Sequence, residues 1–380
     1  GPLFHAIDKK TFSHKWFIKG TDPRKWVELL NEKFGEGRVI ETDFSSFEAH
    51  HEGVLGEIVL YWMMHMIRGL SIPKSIKRML YTIIRGTNVT KFKRITAKVL
   101  QKLMSGAMWT SSANGVLNLI LLAYLSVCHL DSIDEMVDRA WDLHILVEGD
   151  DGLCLDVGQS QNEVEKLGLA LELKRYSDFS DAKFCGVICD KNSGTLVKDP
   201  LRVLRTFCVM PMELANATNG KQKSYLRCKA LSYKYQFPAC PIVTALADKI
   251  LELTRSCDIR SVKAELTNGW VMDESIRFEK REVDVRTRGV VERRFGISLD
   301  TQILLEKQII EPTSDVLRLS TSMFANLTDI EHAQVYTSSF KPDVEYPPLI
   351  REVLAKGLQG RKSRPMQGRS YYFDPGAAGV

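Results

Sequence analysis

Two short apolar runs, His144-Ile145-Leu146-Val147 and Gly152-Leu153-Cys154-Leu155, are separated only by Glu148-Gly149-Asp150-Asp151. Runs this short bounded by a Gly-Asp turn signal predict a strand–turn–strand unit. No other stretch constrains the fold as much, because both strands must be buried while two adjacent carboxylates sit at the tip. Two such charges repel each other and call for a cation. A surface turn also favours Gly and Asp for backbone reasons alone, and Gly-Asp-Asp arises by chance in roughly one chain in ten of this length. The tripeptide needs company before it carries meaning.

Two other segments supply it. Arg38-Val39-Ile40-Glu41-Thr42 reads as a buried strand ending at Asp43, with Phe44-Ser45-Ser46-Phe47-Glu48 behind it. Asp43 there is either a ligand or a helix N-cap. Ser105-Gly106 is a loop signal that permits close approach of another strand, and 110–128 reads as a helix. Thr110 and Asn114 are four apart and share one helical face. Their hydroxyl and amide suit a ribose, whose 2′-OH both donates and accepts; a polar first helical turn is the equal alternative. His50 and His51 diverge by about 100° on a helix, which favours local packing over a shared metal.

The rest of the chain is read more coarsely. Helices are predicted over 53–69, before Pro73, and over 161–169, with strands near 171–174 and 183–189. The alternation over 81–95 predicts a hairpin turning at Gly86-Thr87-Asn88. From Thr206 the pattern turns mostly helical, with a clear segment over 241–254. Trp109 and the Trp62-Met63-Met64 stretch read as core. The Gly-, Arg- and Ser-rich tail reads as a mobile basic extension. Gly1-Pro2, with no Met, reads as a protease scar, and the chain as a piece of a longer protein.

Composition narrows the partners. With 44% hydrophobic and 26% charged residues in 380, wholesale disorder and collagen-like repeats are excluded. The net charge of +5 is modest, but its distribution is not. Between Ile58 and Leu130 there is no acidic residue, against ten basic ones: Arg68, Lys74, Lys77, Arg78, Arg85, Lys91, Lys93, Arg94, Lys98 and Lys102. A solvated face mixes signs, so this stretch reads as a track for a polyanion, with pairing to acids elsewhere as the alternative. Nucleic acid is favoured because each neutralised phosphate releases counterions. Eight cysteines without paired CxxC knuckles argue against zinc and against a disulfide framework, and point to a reducing, intracellular setting. The apolar run 116–130, interrupted by Asn118 and His129, is too short for a confident membrane span and reads as a buried helix.

Phosphoryl transfer gives the three segments a common purpose. A strand-end Asp and a hairpin Asp brought side by side can hold two divalent ions about 3.5–4 Å apart, one activating a hydroxyl and one stabilising the leaving pyrophosphate. Mg²⁺ suits such oxygen ligands, with Mn²⁺ as its substitute. The ordered set Asp-x4-Glu, Ser-Gly-x3-Thr-x3-Asn and Gly-Asp-Asp resembles motifs A, B and C of the RNA-dependent RNA polymerases of positive-strand RNA viruses. The flanks Phe17-Ile18-Lys19-Gly20 and Lys91-Phe92-Lys93 are most similar to tombusvirus-like replicases, and less closely to nodavirus-like ones. The resemblance covers 16–200.

That resemblance implies an α+β right-hand fold, with an antiparallel-sheet palm, a helical thumb and partial fingers. It divides the chain into a fingers remnant (1–40), palm with motif A (41–70), a fingers insertion with a basic hairpin (71–104), palm with motifs B to E (105–200), thumb (201–356) and tail (357–380). Asp43, Asp150 and Asp151 would be metal ligands, and Lys174 the motif D general acid. Glu48, Ser105, Gly106, Thr110, Asn114 and Arg202 would meet the nucleotide and its ribose, with Arg205 a further candidate. Lys91, Lys93 and Arg94 would meet RNA, and Phe184-Cys185-Gly186 resembles the motif E primer grip. The implied partners are RNA template and product, NTPs, and other viral replication proteins or a membrane anchor supplied elsewhere. The implied location is host cytoplasm, at membrane-associated replication complexes. Two rivals stand beside this reading: a reverse transcriptase, and a catalytically silent RNA-binding scaffold.

The sequence departs from the family pattern twice. Glu48 stands where most relatives carry Asp, one methylene shorter. Only 42 residues precede Asp43, where relatives carry a large fingers segment with a basic triphosphate grip. Lys9, Lys10, Lys15 and Lys19 do not reproduce that grip.

Overall fold

A computed structural model describes residues 2–91, 96–104, 106–210, 214, 217–263, 278 and 281–311. Helices α1 (Pro2–Phe12) and α2 (Trp26–Phe34) lead into strand β1 (Val39–Phe44) and a 3₁₀ turn over Phe47–His50. Helices α3 (Gly53–Met66) and α4 (Lys74–Arg85), the hairpin β2 (Thr87–Lys91) and β3 (Thr96–Leu100), and helices α5 (Thr110–Val127) and α6 (Ile133–Trp141) follow. Next come β4 (Ile145–Glu148), β5 (Asp151–Leu155), α7 (Gln161–Lys166), β6 (Leu171–Tyr176), β7 (Lys183–Phe184), β8 (Val187–Asp190) and β9 (Thr195–Lys198). The described chain closes with α8 (Pro200–Thr206), α9 (Asn219–Gln236), α10 (Val243–Leu253), α11 (Arg260–Lys263), α12 (Val285–Phe295) and α13 (Leu299–Ile310). Helices alternate with strands along the first 200 residues, and the described strands of all three sheets pair antiparallel, which makes the fold α+β.

The central sheet has the order β4-β5-β1-β6 and is antiparallel throughout. Side chains alternate across it with period two, and the two hydrophobic cores sort by that alternation. Ile40, Phe44, Ile145, Val147, Cys154, Leu171 and Leu173 pack with α3, α4 and α5. Val39, Leu146 and Leu153 face the other way, into a core shared with α2, the sheet β7-β8-β9 and α9, α10, α12 and α13. Helix α5 carries apolar residues all round and is buried accordingly: Leu117 and Leu122 have no exposure. It is long and apolar enough to cross a membrane by length and composition, but two thirds of it (67%) is enclosed by the fold.

Most predicted elements are present, with shifts that have identifiable causes. The predicted hairpin over 81–95 is displaced. Leu80 and Ile84, four apart and buried, extend α4 to Arg85, Gly86 ends that helix, and the hairpin pairs Thr87 with Leu100 and Lys91 with Thr96. The turn is therefore not at Gly86-Thr87-Asn88, and residues 92–95, between the two strands, lie outside the described residues. The single strand predicted over 183–189 is two strands, because Cys185 and Gly186 both take positive φ (53° and 74°) and close a two-residue hairpin between Phe184 and Val187. Pro2, set aside with Gly1 in the sequence reading, opens α1. Helices α1, α2, α4, α6 and α8 and strand β9 are not among the predicted elements. Trp109 and Met63 are core residues, as expected. The tail 357–380 and residues 312–356 of the expected thumb lie outside the described residues.

Gly152 marks the tightest point of the sheet. A Cβ there would stand 2.4 Å from Thr42 Oγ1, 2.9 Å from Leu122 Cδ1 and 3.0 Å from Asn118 Nδ2. Thr42 is pinned by its own bond to the Gly152 carbonyl (3.2 Å), so it has no room to yield. Gly152→Ala is expected to destabilise the protein by about 1–3 kcal/mol, read as a lower urea midpoint.

Candidate active site

The register of the central sheet collects the charged residues on one face. Thr42 pairs with Gly152, so Asp43 lies alongside Asp151; on its other side Asp43 pairs with Glu172, and Glu41 with Lys174. Glu148 pairs with Asp151 across the turn. Glu41, Asp43, Glu148, Asp151, Glu172 and Lys174 thus share one side of the sheet. The Asp43 carboxylate is 59% exposed and forms an ion pair with Lys174 Nζ at 2.6 Å, while Glu172 stands 3.5 Å from the same ammonium. The hydrogen bond to Asp43 raises the pKa of Lys174, which is a full cation at neutral pH.

The turn between β4 and β5 is held from beneath. Gly149 has φ +58°, which lets the chain reverse in two residues. Asn118, buried in α5, donates its amide to the carbonyls of both Gly149 (3.3 Å) and Asp150 (3.0 Å). Glu148 is tied from the side: Lys19 Nζ bonds both Glu148 and Ser111 at 2.8 Å, and Ser111 Oγ donates to the same Glu148 oxygen at 3.2 Å. Lys19 is brought there by a parallel bridge between Phe17 and Val147. Sequence reasoning missed Asn118 and the Lys19–Glu148–Ser111 cluster. The spacing Thr110, Asn114, Asn118 was the available signal for the first, and the lone cation in Phe17-Ile18-Lys19-Gly20 for the second.

Asp151 feels the crowding most. Burial pushes its carboxyl up to about 7, and the neighbouring carboxylates of Asp150, Glu148 and Glu41 add to this; Lys183 offsets part of it. Glu41 is itself fixed by the backbone N–H of Lys183 at 2.8 Å. Hard oxygen donors in excess of local positive charge fit a divalent cation such as Mg²⁺ or Mn²⁺. Asp43 and Asp151 from neighbouring strands, with Asp150, would hold it. The expected convergence is incomplete: among the described residues no three His, Cys, Asp or Glu side chains gather round one point. Asp43 is engaged by Lys174 instead.

The remaining sequence candidates are scattered. Thr110 opens α5, and its hydroxyl is committed to the Met104 carbonyl (3.2 Å). Asn114 is only 3% exposed, and its Oδ1 has no hydrogen-bond partner. Glu48 lies in the 3₁₀ turn, and no bond joins it to Asn114. Gly106 is in the turn before α5. Arg202 is exposed in the first turn of α8, whose N-terminus is capped by Asp199. Lys91 ends β2 and is exposed; Lys93, Arg94 and Ser105 lie outside the described residues. Of the acid-free basic stretch, Arg85 pairs with Glu57 (2.8 Å) and Lys102 with Glu52 (2.5 Å), so the pairing alternative holds for these two.

His51 is the unexpected member. It is 4% exposed and edge-on to Phe47 at 5.4 Å. Burial lowers its pKa to about 4, with Asn114 acting in the opposite direction and His50 adding to the fall.

Residues 1–177, which contain Asp43, Asn114, Asp150, Asp151 and Lys174, match the family model described as viral RNA-dependent RNA polymerase. The match takes in somewhat less than half of the 380 residues, and over this segment the chain is similar to viral RNA-dependent RNA polymerases. A search of the curated proteins finds no match. Among solved structures, the RNA-dependent RNA polymerase of a human picorbirnavirus is similar at 13% identity and TM-score 0.48, covering 70% of this chain and 51% of that one. Its insertion-loop deletion mutant is similar at 14% identity and TM-score 0.48, covering 70% and 52%. The chain therefore spans about half the length of these two proteins.

Two predictions follow from the site's packing. Asn118→Ala leaves two turn carbonyls without their buried donor and should cost about 1–3 kcal/mol of stability, measured by urea unfolding. For His51 the folded pKa lies below the unfolded value near 6.5, so the folded state binds fewer protons in between. Its contribution is full above pH 6.5 and is lost as pH falls toward 4, by about 3 kcal/mol. Urea midpoints between pH 7 and 4.5 should therefore fall less steeply in His51→Phe than in wild type.

Proposed function

We propose that the protein copies an RNA template, adding nucleotides from NTPs to an RNA 3′-OH in the replication of a viral RNA genome. The observation that carries this reading is the placement of Asp43 and Asp151 side by side on one sheet face, at the rim of a turn that Asn118 and Glu148 hold rigid. Divalent ions, when bound there, would supply charge neutralisation at the attacking hydroxyl and the leaving pyrophosphate. The chain's own part is to orient: β1 and β5 set the spacing of the carboxylates, and α5 sets the turn. Lys174 is a cation within reach of the same face, which suits the delivery of a proton to pyrophosphate once its ammonium leaves Asp43. The resemblance in the motif flanks supports placement among positive-strand, tombusvirus-like replicases. A location at host cytoplasmic membranes belongs to the same proposal, as do partner replication proteins.

One observation favours a second reading, a catalytically silent RNA-binding scaffold: Asp43 is bound to a lysine rather than gathered with other ligands. A reverse transcriptase fits less well, since Gly149 before the Asp pair and Asn114 in the second motif belong to the RNA-copying pattern. A primer-extension assay with Mg²⁺ separates these readings. Wild type should extend with ribonucleotides. Asp150→Asn should lose more than about a thousandfold in rate, equivalent to roughly 4 kcal/mol of transition-state stabilisation, while RNA binding by filter retention stays near wild type. Extension by Asp150→Asn at the wild-type rate overturns the assignment, and retention without extension in wild type establishes the scaffold.

A further inference from the structure

Helix α6 buries none of its residues. Ile133, Val137 and Trp141 follow one another at four-residue spacing and form one row along it, and they are 76%, 52% and 56% exposed. Single apolar residues on a surface are ordinary, whereas a contiguous row marks an interaction face. The last member of the row is held in place. Trp141 stacks on Trp16 with ring centres 5.4 Å apart, and its carbonyl accepts a bond from Lys15 Nζ at 3.1 Å. A fixed aromatic ring with more than half its surface open is the kind of anchor that carries binding energy. Beside this row runs a second one, the exposed Asp134 and Asp138, and among the described residues neither forms an ion pair.

Helix α4 presents the same plan with the opposite charge. Leu80 and Ile84 face the core, while Met79 and Ile83 form an exposed apolar row and Lys74 and Arg78 an exposed cationic one. Lys74 stands in the first turn, which holds no acidic residue, and the helix dipole disfavours a cation there. Among the described residues neither Lys74 nor Arg78 forms an ion pair. Their placement does nothing for the helix itself and calls for a negatively charged partner. Both faces are exposed in the same chain, so they do not cover each other within it.

We propose that they cover each other between copies, with α6 of one copy packed on α4 of a second. At about 100° per residue, the acidic row of α6 lies on one rotational side of its apolar row, and the cationic row of α4 on the opposite side. That mirror relation brings opposite charges together when the two helices run side by side in the same direction. Asp134 then meets Lys74 and Asp138 meets Arg78 along one edge, while Val137 meets Met79 and Trp141 meets Ile83 along the other. With the two helix starts aligned, each pair lies within a residue of the same height. The two surfaces differ, so the contact is heterologous: each copy keeps an open α4 or α6, and copies add head to tail. A face of this size makes a small, transient interface, and its charged edge weakens with salt. An RNA strand is the competing occupant of the cationic row, but its phosphates would leave Met79 and Ile83 uncovered and α6 without a partner.

Sedimentation velocity of the whole chain tests this without an activity assay, so its outcome is independent of primer extension. The wild-type sedimentation coefficient should rise with protein concentration and fall back as salt is added. Asp134→Lys/Asp138→Lys and Lys74→Glu/Arg78→Glu should each weaken self-association about tenfold. Their urea midpoints should stay near wild type, because all four side chains are exposed. Mixed in equal amounts, the two variants should associate again, since each then meets the charge opposite to its own. A wild type that remains a single chain at every concentration overturns the proposal, and so does association that neither reversal weakens. Variants that stay apart when mixed show that the two rows do not meet. Loss of RNA retention on filters in Lys74→Glu/Arg78→Glu, with self-association unchanged, assigns the α4 row to RNA and overturns the proposal as well.

Discussion

The antiparallel register of β1 between β5 and β6 is the constraint from which the site follows. With Thr42 opposite Gly152 and Glu41 opposite Lys174, the side chains of Asp43, Asp151 and Lys174 must share a face. A slip of one residue would turn Asp43 into the core beside Ile40 and expose Phe44 in its place. Both faces of the sheet are covered by apolar cores, so such a slip is opposed at every position along β1. The residues that secure the register are Gly152, which lets Thr42 and Asn118 approach, and Thr42, which bonds back across the pair.

That arrangement concentrates like charge, and the structure meets the cost in two ways. Lys174, Lys183 and Lys19 each reach into the carboxylate cluster from a different element, and each is bound to it or acts on it. What they leave uncompensated falls on Asp151, whose carboxyl is driven up to about 7 chiefly by burial. A divalent cation would relieve this, and the lysine on Asp43 is a counter-charge of the kind such an ion displaces.

Much of the fold was legible because local pattern and tertiary environment agree. The apolar runs around Gly149 could only be strands, and α5 was recognisable from eighteen residues without a proline or a charge. The hairpin near Gly86 was misplaced because Ile84 suits a strand or a helix equally; burial against α3 decided for the helix. The run over 183–189 lacked any visible interruption, since a positive φ at Cys185 is imposed by the hairpin and not advertised by its side chain.

Within the site, residue chemistry was readable and residue company was not. Asp43, Asp150, Asp151 and Lys174 can be picked out in the chain because carboxylates at strand ends and a lysine after an apolar alternation are local features. That Lys174 grips Asp43 and that Asn118 supports the turn are facts about residues 131 and 31 or 32 positions apart. Sequence spacing carries no information on such distances. They are settled by strand register and by which face of α5 meets the sheet, and both depend on apolar packing summed over the whole core, not on any motif.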